Sequence, residues 1–190
     1  MTLPPAPAPV AVTLPAAATA LLLLDVTDPM CSAQTRCLEM VPRVAALLAA
    51  ARTAGAYVIH SANHPGLGAP LAQPPFAAAV APAAGEPIVI GGGQDRFFAT
   101  LLDELLRRRG IANLVLAGWR VNGSLLYTAV GANLRSYTVV VADDATSAPH
   151  DYDIAVGHYQ LLTQLNANPG NEPLRKGAVT LSRTDLIALR

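Results

Sequence analysis

The sequence predicts a three-layer α/β domain, a doubly wound sheet of about six mostly parallel strands in the order 3-2-1-4-5-6. Three observations carry this expectation. From about Ala17 onward, short apolar runs alternate with helical patterns, which is the signature of successive βαβ units. The runs are apolar throughout rather than alternating, as strands covered on both faces are. The chain is also 52% hydrophobic with a mean hydropathy of +0.37, which suits such strands or a large subunit interface. At 190 residues and 19.7 kDa it fits a single core.

Residues 1–16, "MTLPPAPAPVAVTLPA", read as a Pro/Ala-rich tail of polyproline character or a segment draped over a neighbour, and 17–190 as the folded domain. Within it the expected strands are 20–26, 56–60, 87–90, 113–118, 137–143 and 178–181. The clearest helix signal is "FFATLLDELLRRRG". There Phe97, Phe98, Leu101, Leu102, Leu105 and Leu106 recur at helical spacing, with Asp95 as N-cap and Gly110 at the stop. Further helices are expected over about 33–53, 124–135 and 151–165. The stretch 63–87 is a long irregular connection, and connections of that length in compact domains are often functional.

Charge and cysteine usage exclude several classes. Formal net charge is zero and the isoelectric point is near 6.9, so no basic field is present for nucleic acid or an anionic membrane. The densest cationic cluster, Arg107 to Arg109, closes a helix, where cations complement the macrodipole. The longest apolar run is interrupted by Asp25 and falls short of the ~20 residues that a membrane span needs. No Lys or Arg precedes Arg36, so a secretory signal is not expected and the location read is cytoplasmic. The two cysteines, Cys31 and Cys37, lack metal or redox spacing and read as reduced structural thiols.

In an open doubly wound sheet, ligands bind beyond the carboxyl ends of the strands, where the strand order reverses. With the order above, strands one and four meet at that point. Strand one ends in "LLLLDVTD" and strand four in "GWRVNGS", so Asp25 and Ser124 should face one crevice. A carboxyl at the end of four leucines suits proton transfer, whereas Asp28, before Pro29, reads as a turn or cap residue. Ser124 opens a helix whose free N–H groups can stabilise an oxyanion, and a binding or oxyanion role is favoured over attack. Serine is equally a capping residue at such a place. Trp119, Arg120, Gly123, Phe97, His60 and Tyr127 complete the expected substrate-binding set, and Trp119, Tyr127, Phe97 and Phe98 would suit an apolar or aromatic ligand.

Taken in order, "ALLLLDVTDPMC", "YVIHSANHP", "DRFFATLLDELLRRRGIANLVLAGW" and "GSLLYTAVGANLRSYTVVVADDATSA" resemble the isochorismatase-like superfamily, or cysteine hydrolases, from about Ala17 to the C-terminus. The resemblance implies a Rossmann-like fold and a site of aspartate, lysine and cysteine. Asp25 matches the aspartate. The cysteine position falls on Ser124 and the lysine position near Gly91, while the only lysine in the chain is Lys176. Serine is a weak nucleophile without a strong adjacent base, which points away from thiol chemistry. Arg120 and Arg96 are the candidate replacements for the lysine. An arginine would donate hydrogen bonds and charge but give up no proton. The metal of nicotinamidase relatives resembles an Asp and two His after strand two. His64 is retained here, but the aspartate position is Ala62 and the motif's second histidine is missing from the connection that follows, so no metal or other cofactor is expected.

The functional expectation is a small-molecule enzyme, in all expectation a homo-oligomer, with acid/base chemistry by Asp25. Its reaction would be hydrolysis of an amide, ester or vinyl ether, or a non-hydrolytic protonation or cyclisation. An Asp25, His60 or His64, Ser124 relay is one version of it. The alternative is a binding or interaction protein that kept the fold and lost the chemistry.

Overall fold

The computed structural model describes residues 5, 7–64, 73–163 and 179–190. The elements run β1 (Val12–Leu14), β2 (Thr19–Leu24), α1 (Asp28–Ser32), α2 (Thr35–Thr53), β3 (Tyr57–Asn63), β4 (Ile88–Gly91), α3 (Leu102–Arg108), β5 (Asn113–Trp119), α4 (Ser124–Leu134), β6 (Thr138–Ser147), α5 (Asp151–Thr163), β7 (Thr180–Ser182) and β8 (Ile187–Leu189). Strands β2 to β7 form one parallel sheet in the order β4-β3-β2-β5-β6-β7. Counted from β2, this is the predicted 3-2-1-4-5-6 order, and β2 and β5 are neighbours at its switch point.

The unbroken apolar strands have the reason assigned to them. Ala20, Leu22 and Leu24 of β2 point into one core with Leu114, Leu116, Leu102, Leu106, Leu125 and Leu161. Leu21 and Leu23 point the other way, into a second core with Met40, Val44, Leu47 and Leu48 of α2. Both faces are therefore covered, and no residue from Thr19 to Leu24 is exposed. Each of the four leucines is at most 1% exposed and contributes on the order of 1.5–3 kcal/mol of burial.

Three features depart from the sequence reading. Residues 12–14, within the expected tail, form β1 and pair in parallel with β8, with Val12 opposite Ile187. The helix expected from Phe97 begins only at Leu102. Residues 95–101 are irregular, Ala99 has φ 54°, and Thr100 Oγ1 accepts the Leu102 N–H. Phe98 and Leu101 are consequently exposed while Phe97, Leu102 and Leu106 are buried. Finally, Cys31 and Cys37 are joined in a disulfide, which corrects the reading of two reduced thiols. The turn after α1 folds α2 back and brings the two Cα atoms to 4.7 Å, within disulfide reach. The last expected strand began at 178 and the last expected helix ended at 165, positions that lie outside the described residues.

Gly118 fixes the approach of β5 to β2. Its φ is +117°, and a Cβ there would stand 2.2 Å from the Leu24 carbonyl oxygen. No side chain fits, because the contact is to backbone that cannot rotate away. Gly118→Ala should therefore destabilise the fold by about 2–5 kcal/mol, from positive φ and overpacking together. Urea unfolding followed by circular dichroism measures it, and a loss under about 1 kcal/mol would contradict this account.

Candidate active site

Asp25 stands one residue beyond β2. Its N–H donates to the Ser61 carbonyl, which extends the β2–β3 ladder, and its φ of 55° then turns the side chain out of the sheet. That left-handed conformation costs roughly 1 kcal/mol or more outside glycine and is best tolerated by Asp and Asn. The carboxylate is 3% exposed.

Its principal partner is Arg96, which is wholly buried. Arg96 Nη2 lies 2.7 and 2.6 Å from the two Asp25 carboxylate oxygens, 2.9 Å from Asn63 Oδ1 and 3.2 Å from Ser124 Oγ. Nε donates to Ser61 Oγ at 3.1 Å and Nη1 to the Gly93 carbonyl. The Arg96 backbone is held as well, its N–H donating to Thr128 Oγ1. A Cβ at Gly91 would stand 3.2 Å from Arg96 Cδ and 3.3 Å from Nη1, so the bare glycine makes room for the guanidinium. The irregular segment before α3 is what carries Arg96 inward. Of the two arginines considered from the sequence, Arg96 pairs with Asp25 and Arg120 does not.

Ser124 is the first residue of α4 and 6% exposed. Its hydroxyl donates to Asp25 Oδ2 at 2.6 Å and accepts from Arg96 Nη2. Acid, guanidinium and hydroxyl thus form one network at a cavity of about 340 Å³. Trp119, Met30 and Pro149 give that cavity apolar wall, and Gln34, Asn63, Gln94 and Arg120 give it polar groups. Gly123 lies beneath the Arg120 side chain.

Four of the six expected binding residues, Gly123, Phe97, Tyr127 and His60, do not line this cavity. Phe97 packs in the core, stacked on Tyr137 with centroids 5.8 Å apart and with the Arg135 guanidinium on its ring. Tyr127 projects from α4 and is half exposed. His60 is fully buried, its Nε2 2.8 Å from Glu86 Oε2 and its ring edge-on to Phe76. β-strand alternation explains His60, since its side chain leaves the sheet between strand residues that end at the crevice. Because Ser124 donates directly to Asp25, no imidazole stands between them. Of His64, the backbone N–H donates to the Gly91 carbonyl. Among the described residues no group of three His, Cys, Asp or Glu is assembled for a metal, and Ala62 is a buried residue without a donor.

A parallel, doubly wound sheet with an acid ending one central strand and a hydroxyl opening the helix after its neighbour defines a protein of the α/β class with a polar crevice at its switch point. Residues 19–171 match the isochorismatase domain, and the chain belongs to the isochorismatase family. It is 36% identical over 107 residues to maleamate amidohydrolase of Pseudomonas putida. That match covers 53% of this chain and 49% of the relative, so the chain spans about half the length of the curated relative that it matches. Among solved structures it is similar to an isochorismatase family protein from Desulfovibrio vulgaris, with TM-score 0.71 and 26% identity over 88% of this chain and 95% of the other. The fold is also that of N-carbamoylsarcosine amidase from Thermoplasma acidophilum, with TM-score 0.69 and 20% identity over 88% and 96% of the two chains.

The buried pair makes a non-additive prediction. Removing one partner leaves an uncompensated buried charge, which typically costs 3–5 kcal/mol, whereas replacing both by neutral groups costs less. Arg96→Met should destabilise by about 3 kcal/mol or more, and Asp25→Asn combined with it should recover part of that loss. Chemical denaturation of the single and double variants measures the coupling, and simple additivity would refute it.

A second prediction concerns acid. Burial holds the His60 imidazole below its ordinary value, against the opposing pull of Glu86. Hydrogen bonds from Arg52 hold the Glu86 carboxyl down to about 2, outweighing its burial. Both groups bind protons less readily folded than unfolded, so the stability they give is present above the unfolded values and lost as pH falls. Loss should begin below about pH 6.5 for His60, and between about 4.5 and 2 for Glu86. Glu86→Gln should flatten the lower part of the stability-against-pH curve, and a curve parallel to wild type would count against it.

Proposed function

We propose that this protein hydrolyses an amide or ester bond of a small molecule through a modified form of the family's site. Asp25 is the proton carrier, Ser124 stands in place of the cysteine and Arg96 in place of the lysine. The 2.6 Å hydrogen bond from Ser124 Oγ to Asp25 Oδ2 supports this most directly. It supplies the adjacent base that a serine nucleophile requires, the one candidate for that role that the sequence offered. The bare Gly91 beside the Arg96 side chain supports the exchange of lysine for arginine.

The Ser124 proton passes to Asp25 as Oγ attacks the carbonyl carbon, and the carbonyl π electrons move to oxygen. As the tetrahedral species collapses, the bond to the amine or alcohol breaks and the leaving group takes the proton from Asp25. Water then gives Asp25 a proton and attacks the acyl-serine, and the proton returns to Ser124 as the acid is released. Arg96 cannot serve as proton donor at neutral pH and acts as the fixed counter-charge that orients Asp25. The N-terminus of α4, at Ser124, would favour a developing oxyanion through the positive end of its dipole. The amidohydrolase relative and the family both support a hydrolytic reaction. A homo-oligomer fits the exposed Phe98, Leu101, Tyr127 and Leu134. No described helix is long and apolar enough to cross a membrane.

One observation favours the second reading, a binding protein without turnover. Both Asp25 oxygens are partnered, as in a structural ion pair. A panel of small amides, esters, lactones and vinyl ethers separates the two. Asp25→Asn and Ser124→Ala should each lower kcat/KM by roughly a thousandfold, and Ser124→Cys should make turnover sensitive to iodoacetamide. Activity retained in Ser124→Ala but lost in Asp25→Asn would replace the covalent route by acid catalysis. No turnover by wild type on any member of the panel would favour the binding protein.

A further inference from the structure

One wall of the crevice is held chiefly by a single covalent bond. Met30 and Gln34 line the cavity from α1 and from the turn into α2, while Trp119 and Arg120 line it from the end of β5. Helix α1 has five residues and no side-chain cap, and Cys31 is its one buried residue. A helix of that length has no stability of its own. Its main anchor is therefore the Cys31 side chain, whose sulfur is bonded to Cys37 in the first turn of α2.

The two ends of this bond are unequally supported. Helix α2 spans 19 residues and buries Met40, Val44, Leu47 and Leu48 in the second core, so it stays in place. The chain entering α1 is fixed as well. Asp28 N–H donates to the Pro75 carbonyl, Ala77 N–H donates to the Val26 carbonyl, and Thr27 bridges to Phe76. The turn between these fixed points has one further cross-tie, the ion pair of Arg36 with Asp151 at 2.6 Å. Those side chains are 36% and 74% exposed, and pairs of that kind contribute little. A second cavity, of about 470 Å³, shares Gln34 and Pro149 with the crevice, which gives the turn room to shift.

We propose that the Cys31–Cys37 disulfide is a redox-operated clamp on the crevice. Oxidised, it holds Met30 and Gln34 in the wall; reduced by a dithiol, it lets α1 move out and widens the approach to Asp25 and Ser124. A thiolate of the dithiol attacks one sulfur of the bridge, and the S–S bond breaks as a mixed disulfide forms. The second thiol of the reductant then displaces that sulfur. Two electrons pass to the bridge, both cysteines end as thiols, and the dithiol leaves as its own disulfide. Two thiols cannot sit as close as two bonded sulfurs, and in a packed core where both cysteines are at most 1% exposed the less supported element must yield. Burial also makes the exchange wait for a local opening of α1. For the hydrolysis proposed above the effect falls on KM, because Asp25 is held by Arg96 and by the Ser61 carbonyl rather than by α1. The clamp itself does not rest on that reading.

Trp119 supplies a readout that needs no substrate. It is the sole tryptophan of the chain, lines the crevice, is 4% exposed and shares an apolar core with both cysteines. Acrylamide quenching of its fluorescence is measured for air-oxidised protein, for protein reduced with dithiothreitol and for Cys31→Ala/Cys37→Ala, with thiol titration and far-UV circular dichroism alongside. Reduction should release both thiols, raise the quenching constant by about twofold or more and leave the far-UV signal in place, and oxidised glutathione should reverse it. The double variant should quench like reduced wild type and be indifferent to dithiothreitol. Free thiols in the air-oxidised native protein, an unchanged quenching constant after reduction, an equal response to dithiothreitol in the double variant, or collapse of the far-UV signal on reduction would each overturn the clamp.

A second measurement compares oxidised and reduced protein on whichever small amide or ester is turned over. Reduction should raise KM severalfold with kcat kept within about twofold. An unchanged KM, or a loss confined to kcat, would overturn the clamp. Turnover by neither form would count against the hydrolysis alone, since quenching decides the clamp without it.

Discussion

The site is organised by one interaction, the pairing of Arg96 with Asp25. Two ions with almost no access to solvent are stable only where each is compensated and hydrogen-bonded, and the surrounding chain is arranged to do this. Ser61 and Asn63 at the end of β3, the Gly93 carbonyl and Ser124 each take a part of the guanidinium's donor set. The segment before α3 gives up helical structure so that Arg96 can turn inward, and Gly91 gives up a side chain so that it fits. The pair thereby ties together β2, β3, the α3 approach and α4.

A consequence for chemistry follows from the identity of the cation. A lysine could exchange a proton with its neighbours, whereas an arginine holds its charge throughout. Proton traffic at this crevice then falls to the carboxylate and hydroxyl, and the arginine's service is direction and charge. The planar guanidinium also fixes the carboxylate in one orientation, which leaves Oδ2 presented to the serine hydroxyl at the short distance observed.

Most of the sheet was legible because burial on both faces writes strands as continuous apolar runs, and the meeting of Asp25 with Ser124 followed from strand order alone. Arg96 was legible only as one of two candidates. In sequence it reads as a charged residue at the start of an amphipathic helix, and nothing local reveals that Phe98 and Leu101 face outward while Arg96 faces in. His60 was misplaced toward the crevice because its partner, Glu86, is 26 positions away and unmarked by any motif. The disulfide depends on the turn between α1 and α2, and the spacing of its cysteines matches no familiar pattern. β1 escaped because a three-residue strand in a Pro- and Ala-rich segment carries almost no periodicity.

That last element has a consequence for the order of folding. Val12 pairs with Ile187, Ala16 N–H donates to the Arg190 carbonyl, and Arg190 N–H returns to the Leu14 carbonyl. This ribbon joins the two most distant parts of the described chain through only three residue pairs, so it pays nearly the full loop-closure entropy if formed early and little once the six-stranded sheet has brought its ends together. The sheet is accordingly the template and the ribbon its final seam, held once formed by Leu14 and Ile187 in the second core.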